Sequence, residues 1–249
     1  GSLVAVEALG IQAATLDSSG DLGSEQSSVG LSTTGDLTLT GKTIAAAQLN
    51  AQAGGTLRQS GKAYAANGVT LHADRDLLLA GNLDSSTDIA LHAGQALTSD
   101  GDLYASGAIT AGAGTVLRNS GSMQAAAVTL QGAAVENRGR LLASGNVIVT
   151  GGTIDNSGQI VGGLAANGTL GSTGQVTLTA TTLLLQSGKV HAGQRVAARA
   201  GTHFFSTALV DSQFATLEAP LGEPGVLRLD ALLPIPQLQA QAIAWRDPA

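Results

Sequence analysis

Two histidines mark the first place to look for chemistry. "VTLHA" and "IALHA" carry His72 and His92 at the same place in phrases 20 residues apart. A pair of imidazoles can ligate a metal or pass a proton. Six acids surround them: Asp74, Asp76, Asp84, Asp88, Asp100 and Asp102. Asp100 and Asp102 flank Gly101, and with Asp84 they are the nearest approach to the carboxylate set a polysaccharide-cleaving enzyme needs. Asn167-Gly168-Thr169 is formally a glycosylation acceptor. What any of these groups does depends on the elements that hold them.

Those elements repeat. From Val29 the chain divides into blocks of 20 residues at 29–48, 49–68, 69–88 and 89–108, then blocks of 19 at 109–127 and 128–146. A longer block fills 147–175, and 176–195 and 196–214 return to the ruler. Residues 9–28 fit as a more degenerate block, so 1–28 read as degenerate first coils and 29–214 as regular ones. The first position of each block is apolar (Val29, Leu49, Val69, Ile89, Ile109, Val128, Val147, Val176, Val196). The residues two and four later are also apolar or small, which is the period-two alternation of a strand with one buried face.

A second apolar column runs Leu37, Leu57, Leu77, Leu97, Leu117, Val135, Ile154, Leu184, and a glycine follows four residues after each member. Two beyond that glycine comes a third column, apolar from Leu83 to Val190. Each block therefore holds three short strands separated by Gly, Ser, Asn and Asp corners, where turns and positive φ are expected. A block this short with three inward columns is one coil of a parallel β-helix, like side chains stacking about 4.8 Å apart. Helices are excluded because glycine is frequent and the apolar period is two. The expected fold is all-β, a right-handed parallel β-helix.

The ruler slips twice. About ten extra residues near 162–171 are expected to bulge from one face as a loop, and loops carry interactions, which makes Asn167, Gly168 and Thr169 a possible interaction loop. From 215 to 249 the pattern breaks and all five prolines and Trp245 appear, which predicts a cap or transition segment of irregular strands on the final coil.

Composition narrows the function. The chain is 43% hydrophobic but 2% aromatic and 12% charged, with 34 glycines and a formal charge of −6. The acidic balance and scattered Lys and Arg argue against nucleic acid as a partner. No cysteine is present, so disulfides and thiolate metal sites are excluded. No apolar run is long enough for a transmembrane helix, and no signal peptide opens the chain. Gly1-Ser2 reads as an expression scar and the whole as an interior piece of a longer protein. No nucleophile elbow, phosphate loop or Ca²⁺-binding repeat occurs, so no cofactor and no metal are expected. Alternation turns His72 and His92 outward, one above the other, a poor pair for a metal without a third ligand. Asn119, Asn137 and Asn156 share a column and are expected to form a structural amide ladder.

The stretch 116–163 resembles the haemagglutinin repeats of filamentous haemagglutinin-type exoproteins, exported by the two-partner route. The resemblance rests on the phrase N-x-G-x-[hydrophobic]-x-A: Asn119-Ser-Gly-Ser-Met-Gln-Ala125, Asn137-Arg-Gly-Arg-Leu-Leu-Ala143 and Asn156-Ser-Gly-Gln-Ile160. It extends over roughly 29–214. The N-terminal secretion domain of that family, a toxin domain and an RGD tripeptide are not found.

The resemblance implies a right-handed β-helical filament secreted to a Gram-negative cell surface, serving as an adhesin or as the stalk of a contact-dependent inhibition toxin. The implied partners are a host or bacterial surface glycan or protein, and the outer-membrane transporter of the two-partner system. The expectation is therefore a non-enzymatic segment that projects or presents a binding or toxin region. A β-helical polysaccharide lyase or hydrolase is the rival, and an autotransporter passenger segment a further one.

Overall fold

The computed structural model describes residues 1–201 and the isolated positions Gln237 and Gln239. Gly1–Thr202 form one compact unit and His203–Ala249 a second. The segment expected to cap the helix, 215–249, and most of the block 196–214 lie outside the described residues, apart from those two positions.

The first unit is a parallel β-solenoid. Each early coil carries a five-residue strand, a three-residue strand and a four-residue strand, as in Val69–Ala73, Leu77–Leu79 and Asn82–Ser85. Residues 9–24 already follow this order, with Leu9–Ala13, Leu16–Ser18 and Asp21–Ser24. The four-residue strands stack into one sheet of ten, from Ser2–Ala5 to Lys189–Ala192. From Ala108 onward the first two strands of a coil fuse into one bent strand, in Ala108–Asn119, Ala127–Asn137, Val147–Asn156 and Gln175–Gln186.

Coils meet in register, like position on like position: Val69 pairs with Ile89, Leu77 with Leu97 and Leu83 with Leu103, all parallel. Variation in coil length is absorbed at corners. Between Ala113 and Val116 the facing strand is one residue shorter, and between Gly151 and Thr153 the facing strand regains it, while the columns on either side stay aligned.

The inward columns form one continuous core. Val29, Leu49, Val69, Ile89, Ile109, Val128, Val147 and Val176 are at most 1% exposed. Burying each such side chain stabilises the stack by about 1.5–3 kcal/mol. Ala53, Ala73 and Ala93 fill the inner corner with small side chains, and Thr33 takes the same place one coil earlier.

The corner glycines differ from expectation. Positive φ occurs at Gly68, Gly163, Gly168 and Gly174, and at none of the column Gly41, Gly61, Gly81, Gly101, Gly121, Gly139, Gly158 and Gly188. The column needs glycine for space instead of for backbone freedom. A Cβ on any of these would run into the backbone carbonyl of the glycine one coil earlier. The coils stack backbone on backbone at this corner, and only hydrogen fits between them.

Polar corner residues tie neighbouring coils together. Asp36 Oδ1 accepts the Thr56 N–H at 2.8 Å, Asp76 Oδ1 that of Ala96 at 3.2 Å and Asp88 Oδ1 that of Ala108 at 2.7 Å. Asn146 Oδ1 does the same for Gln175 N–H at 2.9 Å. Each satisfies a donor that the corner leaves without a ladder partner.

Candidate functional site

The histidines stack as their spacing implies. His72 and His92 are register partners, with ring centroids 4.9 Å apart and planes within 10°. Two stacked rings supply at most two nitrogens by themselves, short of the three or four protein ligands of a metal site. Asp74 adds a carboxylate beside them, Oδ1 lying 2.9 Å from His72 Nε2, on an exposed surface. Among the described residues no group of three or more His, Cys, Asp or Glu side chains is placed to hold a metal.

The acids do not converge either. Asp76 and Asp88 are occupied by backbone N–H groups of the next coil. Asp84 sits opposite Tyr64 and Tyr104, Asp102 opposite Ser122, and Asp100 in a corner next to Arg118. Among the described residues the bidentate ion pair is elsewhere. Arg118 donates to Glu136 through Nε at 2.9 Å and through Nη2 at 3.2 Å, and Arg138 adds a third contact at 3.2 Å. These hydrogen bonds hold the Glu136 carboxyl below its ordinary range and raise Arg118 further. The Arg118–Glu136 pair is a cross-coil brace between register partners, and Arg138 supports it from the same coil as Glu136.

Buried amides form a second set of braces. Asn119 Nδ2 donates to Asn137 Oδ1 at 2.8 Å, and Asn137 Nδ2 to Asn156 Oδ1 at 2.7 Å. Asn156 Nδ2 then donates to Gln186 Oε1 at 3.0 Å, a fourth rung that asparagine-only pattern matching does not find. The three asparagines are at most 3% exposed. At the other end the ladder stops at Ser99, whose short side chain leaves its own Oγ and Asn119 Oδ1 buried without partners.

The inserted segment builds a short hairpin. Leu164 and Leu170 bridge antiparallel, Ala165 N–H donates to Thr169 O at 2.9 Å, and Gly171 N–H to Gly163 O at 2.8 Å. At the tip Asn167 Oδ1 accepts from Thr169 N at 3.1 Å and from Thr169 Oγ1 at 2.7 Å, while Gly168 takes φ of 80°. Asn167, Gly168 and Thr169 are all exposed.

The hairpin changes the sheet beside it. Along the outward column of the ten-stranded sheet, Tyr64, Asp84, Tyr104, Gln124, Leu142 and Val161 are successive register partners. Tyr104 is 47% exposed, as an outward position should be, but Leu142 is 4% and Val161 5% exposed. The hairpin leaves the coil just past Val161 and lies against Leu142. Between it and the sheet runs a groove of about 460 Å³, lined by Tyr104, Ser106, Gln124, Ser144, Leu164 and Ala165 among others. The groove brings together the sheet face, the insertion and polar side chains, and nothing in the sequence pattern marked Tyr104 as part of it.

Comparison with known families decides the relationship. The family model of the haemagglutinin repeat matches residues 1–41, 43–107, 96–158 and 161–202. The chain belongs to the haemagglutinin-repeat family. No curated protein and no solved structure matches it.

In this haemagglutinin-repeat chain the N-x-G phrase has a physical content. Each asparagine is buried and donates to the amide of the next coil, and Asn119 Nδ2 also reaches the carbonyl of Gly121, two residues on, 3.3 Å away. Gln59 and Gln186 make the same local contact to Gly61 at 2.7 Å and Gly188 at 3.0 Å. The phrase is thus a coil-joining device, with the amide satisfying the corner that the glycine makes possible. Fold and family together fit a structural, adhesin-like segment of a filament, in a family that is structural and not enzymatic. The family implies a secreted or cell-surface protein, and no helix among the described residues is long and apolar enough to cross a membrane.

Proposed function

We propose that the chain is a load-carrying and presenting stretch of a filament on a Gram-negative cell surface, exported through the outer-membrane transporter of a two-partner system. Its role is to hold a binding or toxin region away from the cell. The observation that carries this reading is where the polar chemistry goes. Asp36, Asp76, Asp88, Asn119, Asn137, Asn156, Arg118 and Glu136 each make at least one side-chain hydrogen bond to a neighbouring coil. A chain selected to turn over a substrate would leave some of them free in a cleft. The same bonds make each coil depend on its neighbours, as a rod under tension requires.

The test uses the absence of native cysteine. Thr70 lies outward and exposed in the middle of the stack. Thr70→Cys in the full-length protein is expected to react with a membrane-impermeant maleimide on intact producing cells, at an extent close to that in lysed cells. Labelling that appears only after lysis would overturn the reading.

A further inference from the structure

We propose that the groove beneath the hairpin binds a short stretch of uncharged glycan, with Tyr104 stacking on one sugar ring. This deepens the presentation reading and rests on it for its biological setting, although binding itself can be tested without it.

Four observations converge on this ligand class. The first concerns Tyr104 itself. Two coils earlier in the same column Tyr64 hydrogen-bonds Ser86, its hydroxyl 2.9 Å from Ser86 Oγ. At the corresponding place above Tyr104 stands Ala126, and the Tyr104 hydroxyl has no hydrogen-bond partner among the described residues. Tyr104 thus offers a ring face and a free hydroxyl where Tyr64 is tied down.

The second is the polar lining. Ser106, Gln124 and Ser144 face the groove, and their side chains make no hydrogen bond to the protein among the described residues. Two hydroxyls and an amide supply both donors and acceptors within reach of a sugar's hydroxyls, the pairing that orients a ligand in a mostly apolar site. The third is shape. The hairpin makes a wall and Leu142 part of the floor, so a bound ring meets protein on more than one side.

The fourth is charge. No ionisable acid or base other than the tyrosine lines the groove. Asp84, register partner of Tyr104, lies beside it, and the chain carries a formal charge of −6. A sulfated or sialylated chain would enter without a counter-ion and against like charge, whereas an uncharged one avoids both costs. An aromatic face flanked by hydroxyl and amide groups suits the apolar C–H face and polar rim of a neutral hexose or N-acetylhexosamine.

The experiment titrates the 249-residue chain with cellotetraose, chitotetraose and lacto-N-tetraose, and with a sulfated and a sialylated oligosaccharide of similar size, by ligand-observed saturation-transfer NMR and calorimetry. Saturable binding of at least one neutral tetrasaccharide is expected, with the charged pair at least about tenfold weaker. Tyr104→Ala is expected to weaken it by about tenfold or more, as loss of a central aromatic contact does. Tyr104→Phe keeps the ring and is expected to retain most of the affinity. Tyr64→Ala, in the same column but outside the groove, should leave affinity unchanged and so controls for folding. Absence of neutral-glycan binding, equal or stronger binding of the charged pair, or full binding by Tyr104→Ala would each overturn the proposal. None of these outcomes touches the labelling result on intact cells, so the two readings fail separately.

Discussion

Gly121→Ala is expected to cost about 3 kcal/mol or more of stability, although it adds a single methyl group at a surface corner. A Cβ at Gly121 would meet the carbonyl oxygen of Gly101 well inside contact distance, with Asp100 O at 2.7 Å and Asp100 C at 2.8 Å. All three obstacles are backbone, so no side chain can rotate aside, and relief requires prising apart two coils. That breaks ladder hydrogen bonds on both sides of the corner and opens the core columns beneath it, including fully buried Leu97, Leu117 and Met123. Forced insertion into a packed core typically costs about 1–3 kcal/mol, and rigid backbone surroundings push the value to the top of that range or past it. Gly112→Ala is the control. Its nearest neighbour would be His92 Nδ1 at 3.7 Å, an ordinary contact, and the change is expected within about 0.5 kcal/mol of wild type. Urea midpoints of the two variants measure the contrast. Equal midpoints would show that the corner is not stacked as described.

The second large effect concerns the central rung of the amide ladder. Asn137 accepts from Asn119 and donates to Asn156, and it is 3% exposed. Asn137→Asp keeps size and shape but exchanges the donor for an oxygen, which then faces Asn156 Oδ1. At pH 7 the variant holds a buried carboxylate with one accepted hydrogen bond, its second oxygen facing two acceptors, Asn156 Oδ1 and the Gln159 carbonyl. Breaking a buried polar network so that a charge is left uncompensated costs about 3–5 kcal/mol.

The pH dependence follows from the sign of the shift. Burial raises the folded-state pKa of this carboxyl above its unfolded value of about 3.9. The destabilisation is therefore complete above the folded pKa and fades as pH falls toward the unfolded one, because the protonated carboxyl can donate to Asn156 again. The gap between wild type and Asn137→Asp in urea midpoint is expected to narrow between pH 7 and pH 4.5. Asn137→Ala leaves Asn119 Nδ2 and Asn156 Oδ1 without their rung and is expected to lose about 2–5 kcal/mol with no such narrowing. A pH-independent gap for Asn137→Asp would mean that its side chain has turned to solvent and that the ladder is not the brace proposed here.

Much of this architecture is readable in the primary structure, and for one reason. A solenoid repeats a local environment, so a position's demands recur every coil and show up as a column. Val69 and Ile89, Leu77 and Leu97, His72 and His92 fall into register because each coil can hydrogen-bond the next only when like corners coincide. The insertion near 162–171 is visible for the complementary reason, as residues the columns do not need.

What escapes the columns depends on contacts between non-equivalent positions. The corner glycines look like turn residues chosen for positive φ, yet their constraint comes from the carbonyl one coil below. Leu142 occupies an outward position and is buried because the hairpin lies against it, and its register partner Val161 is buried beside it. Gln186 extends the asparagine ladder because its longer side chain reaches the same amide, although its residue type breaks the column. Tyr64 and Tyr104 look equivalent, and only Ser86 against Ala126 in the following coil separates a tethered ring from an available one. A periodic pattern records what every coil needs, and function on a solenoid sits where one coil departs from it.

The central claim is that equivalent positions advance by one strand spacing per coil, whatever the number of residues between them. Spin labels on cysteines at outward positions of one column measure this, since the chain has no cysteine of its own. Ser32, Gln52, His72, His92, Gly112, Gln131, Thr150 and Thr179 are successive partners in that column. Pulsed electron–electron resonance on Ser32→Cys with Gln131→Cys should give a distance of about 24 Å, five steps of about 4.8 Å. Ser32→Cys with Thr179→Cys should give about 34 Å, seven such steps, even though its last step crosses the inserted hairpin. Distances that grow with residue count instead of coil count, or that fail to increase between the two pairs, would contradict the stacked-coil account.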